Sequence, residues 1–204
     1  MSMKKFENIS DWREFEKNSR CFIDSSRNDL ADFLRKKNFV FIERTVQATI
    51  PLKNSADLKK FCRLPLEISE LNERICEIAK KSFTQDVRFF ISVPPIFDEK
   101  ILKNFLSEMK NCYFCRVKNE IAGFIEIVET EENFSAEIRL AAVDENFRLS
   151  GAALSLYAGA ANILREKNFR KLIGRISTKN IPVVNLYATL GANFSRPYDI
   201  YFRG

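Results

Sequence analysis

The sequence predicts an α/β fold: a central mixed sheet with helices on both faces. Three observations point there. From Ile68 onward the segments read helix, helix, three strands, helix, strand, helix, strand. The three consecutive strands are joined by short turns, as in hairpins, whereas the later strands are separated by helices, as in βαβ crossovers. A sheet built from both is mixed and is covered by helices on both faces. Residues 136–191 also present one arrangement twice: a strand-like run, a short turn, then a helical pattern.

The elements follow in chain order. Residues 8–20 are polar and read as helical or irregular. In Asn28–Lys37 the apolar residues Leu30, Phe33 and Leu34 recur at helical spacing, and Asn38 breaks the pattern. Phe39–Pro51 reads as a strand ended by proline. Ser55-Ala-Asp57-Leu58 looks like a helix start. After Pro65, Ile68–Phe83 forms an amphipathic helix with Leu71, Ile75, Ile78 and Ala79 on one face. Thr84–Phe97 has no period, carries Pro94-Pro95, and reads as a loop. Glu99–Lys110 is the next helix. Cys112–Val117, the turn at 118–120 and Ala122–Thr130 form a hairpin, and Glu131-Glu-Asn133 turns into the strand Ser135–Val143. A helix covers Ala152–Lys167, with Leu154, Tyr157, Ala158, Ala161 and Leu164 as its stripe. Strand Lys171–Ser177, helix Ile181–Leu190 and strand Tyr198–Phe202 close the chain. Segments 28–50 and 183–203 share the order helix, break, strand. The first reads either as the tail of a degenerate second copy or as an unrelated αβ unit.

Bulk properties narrow the chemistry. A chain of 204 residues, 46% hydrophobic and 29% charged, suits one medium domain or one domain plus part of a second. No apolar run reaches the ~18 residues of a membrane span, and the start MSMKKFENISDWREFEK lacks the apolar core of a signal peptide. A cytoplasmic protein with no membrane partner is expected. The net charge of +6 is modest and its cations are scattered without interleaved aromatics, so a nucleic-acid partner is not expected. The charge suits an anionic small molecule equally well. There is no histidine. Ser-His-Asp and Cys-His mechanisms are excluded, and proton transfer falls to a carboxylate, a tyrosine, a cysteine or water. The five cysteines fit reduced thiols. Cys112 and Cys115, three apart on a strand, point to opposite faces, so no metal is expected there.

The motif Arg148-Leu-Ser-Gly151-Ala-Ala153 follows the strand ending at Val143 and opens a helix. Such a small-residue turn presents backbone N–H groups to an anion and is one way to hold a pyrophosphate. The other reading is a helix start kept small for packing against the sheet. A second motif runs Asn180-Ile-Pro-Val183-Val-Asn-Leu-Tyr187-Ala-Thr-Leu-Gly191-Ala192.

Together these two motifs resemble those of the GNAT family, the Gcn5-related N-acetyltransferases, over residues 68–203. The chain departs from the family pattern at Val183, where alanine is usual, at Ala192, where phenylalanine is usual, and in having a single glycine in the phosphate loop. It also resembles one branch, the TDP-fucosamine acetyltransferases, through the 28–50 segment, Ser82-Phe-Thr-Gln-Asp-Val-Arg88-Phe, the Arg175–Asn180 run and the ending Tyr198-x-x-Tyr201-Phe-Arg203. The resemblance implies a GNAT fold preceded by a partial GNAT-like N-terminal αβ segment, with a truncated domain at 1–65 and a catalytic domain at 66–204. It implies acetyl-CoA as co-substrate, without metal, entering where the sheet splays between strands 136–143 and 171–177. Val143, Arg148, Leu149, Ser150, Gly151, Ala152, Ala153 and Asn180 would bind the cofactor, Asn180 serving also or instead as an N-cap. Tyr187 would be the general acid for the leaving thiolate. Glu137 would be the base, or else an exposed strand-end carboxylate, with Glu126 as the alternative. Gln85 and Arg88 would meet the acceptor, Arg88 reaching a nucleotide diphosphate or standing as a solvated loop charge. The implied reaction acetylates a dTDP- or UDP-linked 4-amino-4,6-dideoxyhexose for bacterial surface-glycan biosynthesis. A protein N-terminal or small-amine acetyltransferase and a non-catalytic acyl-CoA-binding module are the rivals. A homodimer is a possible assembly.

Overall fold

The computed structural model describes residues 4–9, 19–53, 55–92, 94, 96–110, 112–130 and 134–203. The N-terminal part contains β1 (Lys4–Lys5), β2 (Ser19–Asp24), α1 (Asn28–Lys36) and β3 (Phe39–Pro51). A 3-10 turn at Ser55–Phe61 leads to β4 (Glu67–Ser69), α2 (Glu73–Ser82), a second 3-10 turn at Val87–Phe89, and α3 (Glu99–Ser107). Then come β5 (Cys112–Val117), β6 (Glu120–Thr130), β7 (Ser135–Val143), a 3-10 turn at Glu145–Phe147, and α4 (Ala152–Glu166). The chain closes with β8 (Lys171–Ser177), α5 (Ile181–Thr189), β9 (Asn193–Phe194) and β10 (Tyr198–Arg203).

Local chemistry sets these boundaries. Asn38, at φ 62°, takes the left-handed conformation that closes α1. Lys118 and Asn119, at φ 50° and 70°, form the two-residue turn whose twist suits the β5–β6 hairpin. The Asn72 side chain accepts from the Ile75 N–H at 3.0 Å and starts α2 there. The expected helix at 68–83 is therefore shorter. Ile68 belongs to the edge strand β4 and is exposed, and Leu71 lies before the cap. Helix α3 likewise stops at Ser107, and the expected loop 84–97 holds a 3-10 turn capped by Asp86. Strands β1, β2, β4 and β9 go beyond the sequence expectation. Of the polar stretch 8–20, residues 10–18 lie outside the described ones.

Among the described residues the sheet has ten strands in the order β1-β2-β10-β3-β8-β7-β6-β5-β4, with β9 pairing β3. It is mixed, since β7–β8 and β1–β2 are parallel and the other pairs antiparallel. One face packs α4, α5 and the 55–61 turn around Ile50, Cys115, Ile125, Leu156 and Leu172. The other packs α2 and α3 around Phe89, Cys112, Phe124 and Leu140. Cys112 and Cys115 thus face opposite ways, and all five cysteines are free thiols. Burial pushes Cys112 up to about 12 and Cys115 to about 11, which keeps both protonated. Among the described residues, no helix is long and apolar enough to cross a membrane.

Two features of this sheet position a site. First, β3 from the N-terminal part lies between β8 and β10 from the C-terminal part. It pairs with β8 from Thr45↔Ser177 to Pro51↔Lys171 and with β10 from Phe39↔Arg203 to Thr45↔Tyr198. Second, β7 and β8 pair only at Ser135↔Lys171, Ala136↔Leu172 and Glu137↔Ile173, then part. The loop after β7 is tied back: buried Asp144 accepts from the Asn146 N–H at 2.9 Å and from Arg74 of α2 at 2.8 Å.

Two outcomes follow from this packing. Ile50 is fully buried in β3 among residues of α4 and β8. Ile50→Ala should cost about 2–5 kcal/mol, shifting one cooperative denaturant transition followed by circular dichroism. The Asn146 N–H and then Arg74 hold the Asp144 carboxyl below the usual carboxylate range. A depressed carboxylate stabilises fully above its unfolded value of about 4 and loses that contribution as pH falls through its folded value. Asp144→Ala should therefore lower the melting temperature at pH 7 and have a smaller effect below about pH 3.

Candidate active site

The site begins where the parallel pair ends. Beyond Glu137↔Ile173 the edge of β7 facing β8 has no strand partner. Next to that point β7 carries a bulge: Glu126 pairs Leu140 and Ile127 pairs Ile138, leaving Arg139 between them. On β8 the first residue past the fork is Gly174. A Cβ there would overlap the hydroxyl of Tyr187, so only glycine admits this phenol. Tyr187, on α5, is 2% exposed and stands edge-on to Tyr157 of α4, with ring centroids 5.2 Å apart. The two hydroxyls are hydrogen-bonded to each other. Burial pushes Tyr157 up to about 12 and Tyr187 well above its ordinary value, so both keep their protons at neutral pH.

At the mouth of the fork, β7 ends at Val143, half-buried against the core, and runs through the 145–147 turn into α4. Gly151 sits at φ 82° as the N-cap of α4, a left-handed position with open space beside it. Neither Ala152 nor Ala153 needs a positive φ. The Ser150 hydroxyl donates to the Phe147 carbonyl at 2.7 Å and accepts from the Ala152 N–H at 3.3 Å. The N–H groups of Gly151, Ala153 and Leu154 have no acceptor among the described residues. Leu149 is fully exposed, and Arg148 is exposed without a carboxylate partner. Open N–H groups, a positive helix end and a free guanidinium together suit a phosphate-bearing ligand such as CoA. Asn180 caps α5, its side chain accepting from the Val183 N–H at 3.3 Å.

On the opposite face of the fork lie the carboxylates. Glu137 is exposed on β7, within electrostatic reach of both Tyr187 and Arg88. Glu126 is 2% exposed and accepts from Arg139 at 2.8 Å. Burial raises its pKa against that partner's pull. Gln85 is exposed in the same loop as Arg88. Arg88 is half-buried and already engaged. It donates to both Asp86 oxygens, at 2.6 to 3.2 Å, and to the Arg139 carbonyl on the bulge at 2.6 Å. Phe83, Phe89 and Phe105 surround its guanidinium.

Four residues of this site escaped the sequence reading. Gly174 and the hydroxyl of Tyr157 became visible only through their contact with Tyr187. Asp144 is tied to a helix 70 positions away in sequence. Glu43 of β3 is hydrogen-bonded to Ser177 and lies near Asp86, Lys179 and Arg88. Burial raises its pKa first, and Asp86 adds to the shift. No signal in a stretch 92 residues before β7 marks Glu43, because strand insertion alone brings it there.

The chain matches the profile of the Acetyltransferase (GNAT) family over residues 72–192, more than half its length. No curated protein matches it. Its fold is similar to that of a conserved protein of unknown function from Staphylococcus epidermidis ATCC 12228, with a TM-score of 0.65 at 14% identity, covering 98% of this chain and 83% of that one. It is also similar to a GCN5-related N-acetyltransferase from Sphaerobacter thermophilus, with a TM-score of 0.61 at 12% identity, covering 92% of this chain and 60% of that one. A tandem GNAT protein from the clavulanic acid biosynthesis pathway gives 0.60 at 13% identity, covering 95% of this chain and 66% of that one. At these identities the structures bear on the fold alone, and the chain spans under two thirds of the length of the Sphaerobacter protein. The expectation of a mixed, helix-covered sheet of this family holds, and no match singles out the TDP-fucosamine branch. By its profile over residues 72–192, the protein belongs to the GNAT family of acetyltransferases.

Proposed function

We propose that the protein transfers the acetyl group of acetyl-CoA to the amino group of a nucleotide-linked amino sugar, a dTDP- or UDP-linked 4-amino-4,6-dideoxyhexose, for bacterial surface-glycan biosynthesis in the cytoplasm. The observation that carries the transfer step is the fork itself. A proton-holding phenol stands at its apex and a phosphate cradle at its mouth. The nucleotide-sugar assignment rests on the branch resemblance and on the N-terminal αβ segment. We take residues 1–65 as a truncated GNAT-like unit whose strand β3 completes the sheet of residues 66–204.

Bound acetyl-CoA supplies an acyl group activated as a thioester. The backbone N–H groups of Gly151, Ala153 and Leu154 hold the pyrophosphate, and Arg148 adds a charge-assisted contact. The unpaired edge of β7 at the bulge offers backbone N–H to the thioester oxygen. Arg88 fixes that bulge by binding its carbonyl, and so acts through the backbone. Glu137 takes the proton of the acceptor amine, directly or through water. Tyr187 gives its proton to the departing sulfur. Its raised pKa suits an acid that must stay loaded at neutral pH. A small-amine acceptor is the second reading. It is favoured by Glu43, Asp86 and Glu137 all lying within electrostatic reach of the one guanidinium of Arg88.

Thiol release from acetyl-CoA, measured against amino-sugar nucleotides, simple amines and N-terminal peptides, tests the assignment. Release with the nucleotide sugars is expected. Release with peptides alone moves the acceptor to the rival class, and no release with any amine rejects catalysis. Tyr187→Phe should lower kcat about 10²–10⁴-fold with acetyl-CoA affinity, read by calorimetry, nearly unchanged. Gly174→Ala should lower kcat in the same direction, because the added methyl displaces the Tyr187 hydroxyl.

A further inference from the structure

The reading above needs a cation for the acceptor's phosphates, and Arg88 has its donors committed to Asp86 and the Arg139 carbonyl. Arg175 offers what Arg88 does not. It follows Gly174 on β8, so its side chain leaves the sheet on the face opposite the Tyr187 phenol. Its guanidinium rests 4.7 Å from the centroid of Phe22, on β2, and 6.0 Å from that of Tyr198, on β10. The two rings pack edge-to-face at 5.5 Å and form a fixed platform. Arg175 is exposed, and no carboxylate among the described residues pairs with it. A stacked guanidinium keeps its in-plane N–H fork free and has already lost much of its rotamer freedom, so it is ready for bidentate contact with a phosphate.

A second observation lies beneath it. Tyr198, Thr45 and Ser177 pair side by side across β10, β3 and β8, and so share the face that carries Arg175. Thr45 is 2% exposed, yet its hydroxyl has no hydrogen-bond partner. A buried hydroxyl left unpaired costs free energy, which an incoming acceptor oxygen recovers.

We propose that Arg175, held on the Phe22–Tyr198 platform beside Thr45, is the subsite for the diphosphate of a nucleotide-bearing acceptor, on the face of the sheet opposite α4 and its CoA cradle. This deepens the nucleotide-sugar reading and rests on it. The N-terminal segment then contributes to acceptor choice, because Phe22 and Thr45 both come from it.

Calorimetric titration with dTDP and UDP tests the subsite without any acetyl transfer. One of these should bind the wild-type protein, equally well with and without saturating CoA. Arg175→Ala should weaken binding about tenfold or more, the loss expected for a charge-assisted pair, while CoA binding stays unchanged. Thr45→Val, nearly isosteric, should weaken the same ligand while leaving the fold intact by circular dichroism. Absence of nucleotide binding, displacement of the nucleotide by CoA, or wild-type affinity in Arg175→Ala overturns the proposal. Failure of acetyl transfer would instead appear as absent thiol release, so the two failures are separable.

Discussion

The structure depends on a parallel strand pair that is allowed to form only in part. Strands β7 and β8 share a ladder at Glu137↔Ile173 and then separate. Backbone groups left along such a split must find partners elsewhere or meet water and ligand. Here Arg88 takes the Arg139 carbonyl, and the face of Gly174 is filled by a phenol instead of a methyl group. The bulge at Arg139 turns β7 away from its regular course and the 145–147 turn carries it into α4, so one deformation opens the cleft and aims a helix start at its mouth. The same strand that loses a neighbour thereby leads into a helix whose first N–H groups are open among the described residues.

An opened sheet needs support on both sides of the fork. On the β7 side, β6 and β5 continue antiparallel and α2 and α3 pack beneath. On the β8 side the support is β3, borrowed from the first fifty residues and lodged between β8 and β10. Its inner residues Ala48 and Ile50 are fully buried among those of the C-terminal part. Its outer residues Glu43 and Thr45 lie beside Ser177 on the other face of the sheet. The Coulomb balance on that face differs from that at the start of α4. Carboxylates gather around Arg88, and the Arg175 guanidinium, with no carboxylate partner among the described residues, rests on two rings.

Much of this was legible in the sequence, for identifiable reasons. The strands 39–51, 135–143 and 171–177 stand as read, because each is bounded by a strong local signal: Asn38 and Pro51, the turn before Ser135, and the small or polar turns after Val143 and Ser177. The left-handed turn that opens α4 was legible because Gly151 itself encodes it. The helix at 68–83 was over-read because the apolar spacing of Leu71 and Ile75 runs across a cap that only the Asn72 side chain reveals. Strand β2 follows a polar stretch and is only six residues long, too short to stand out as a periodic run. The positions hidden from the sequence owe their place to long-range pairing. Glu43, Thr45 and Phe22 meet the site through a strand order that local patterns do not specify.

The most direct test of the account is a crystal structure with acetyl-CoA bound. The pyrophosphate should lie on the N–H groups of Gly151, Ala153 and Leu154, and the thioester in the fork, with its sulfur within about 3–4 Å of the Tyr187 hydroxyl. A cofactor seated outside the β7–β8 split, or a sulfur out of reach of that phenol, would contradict it.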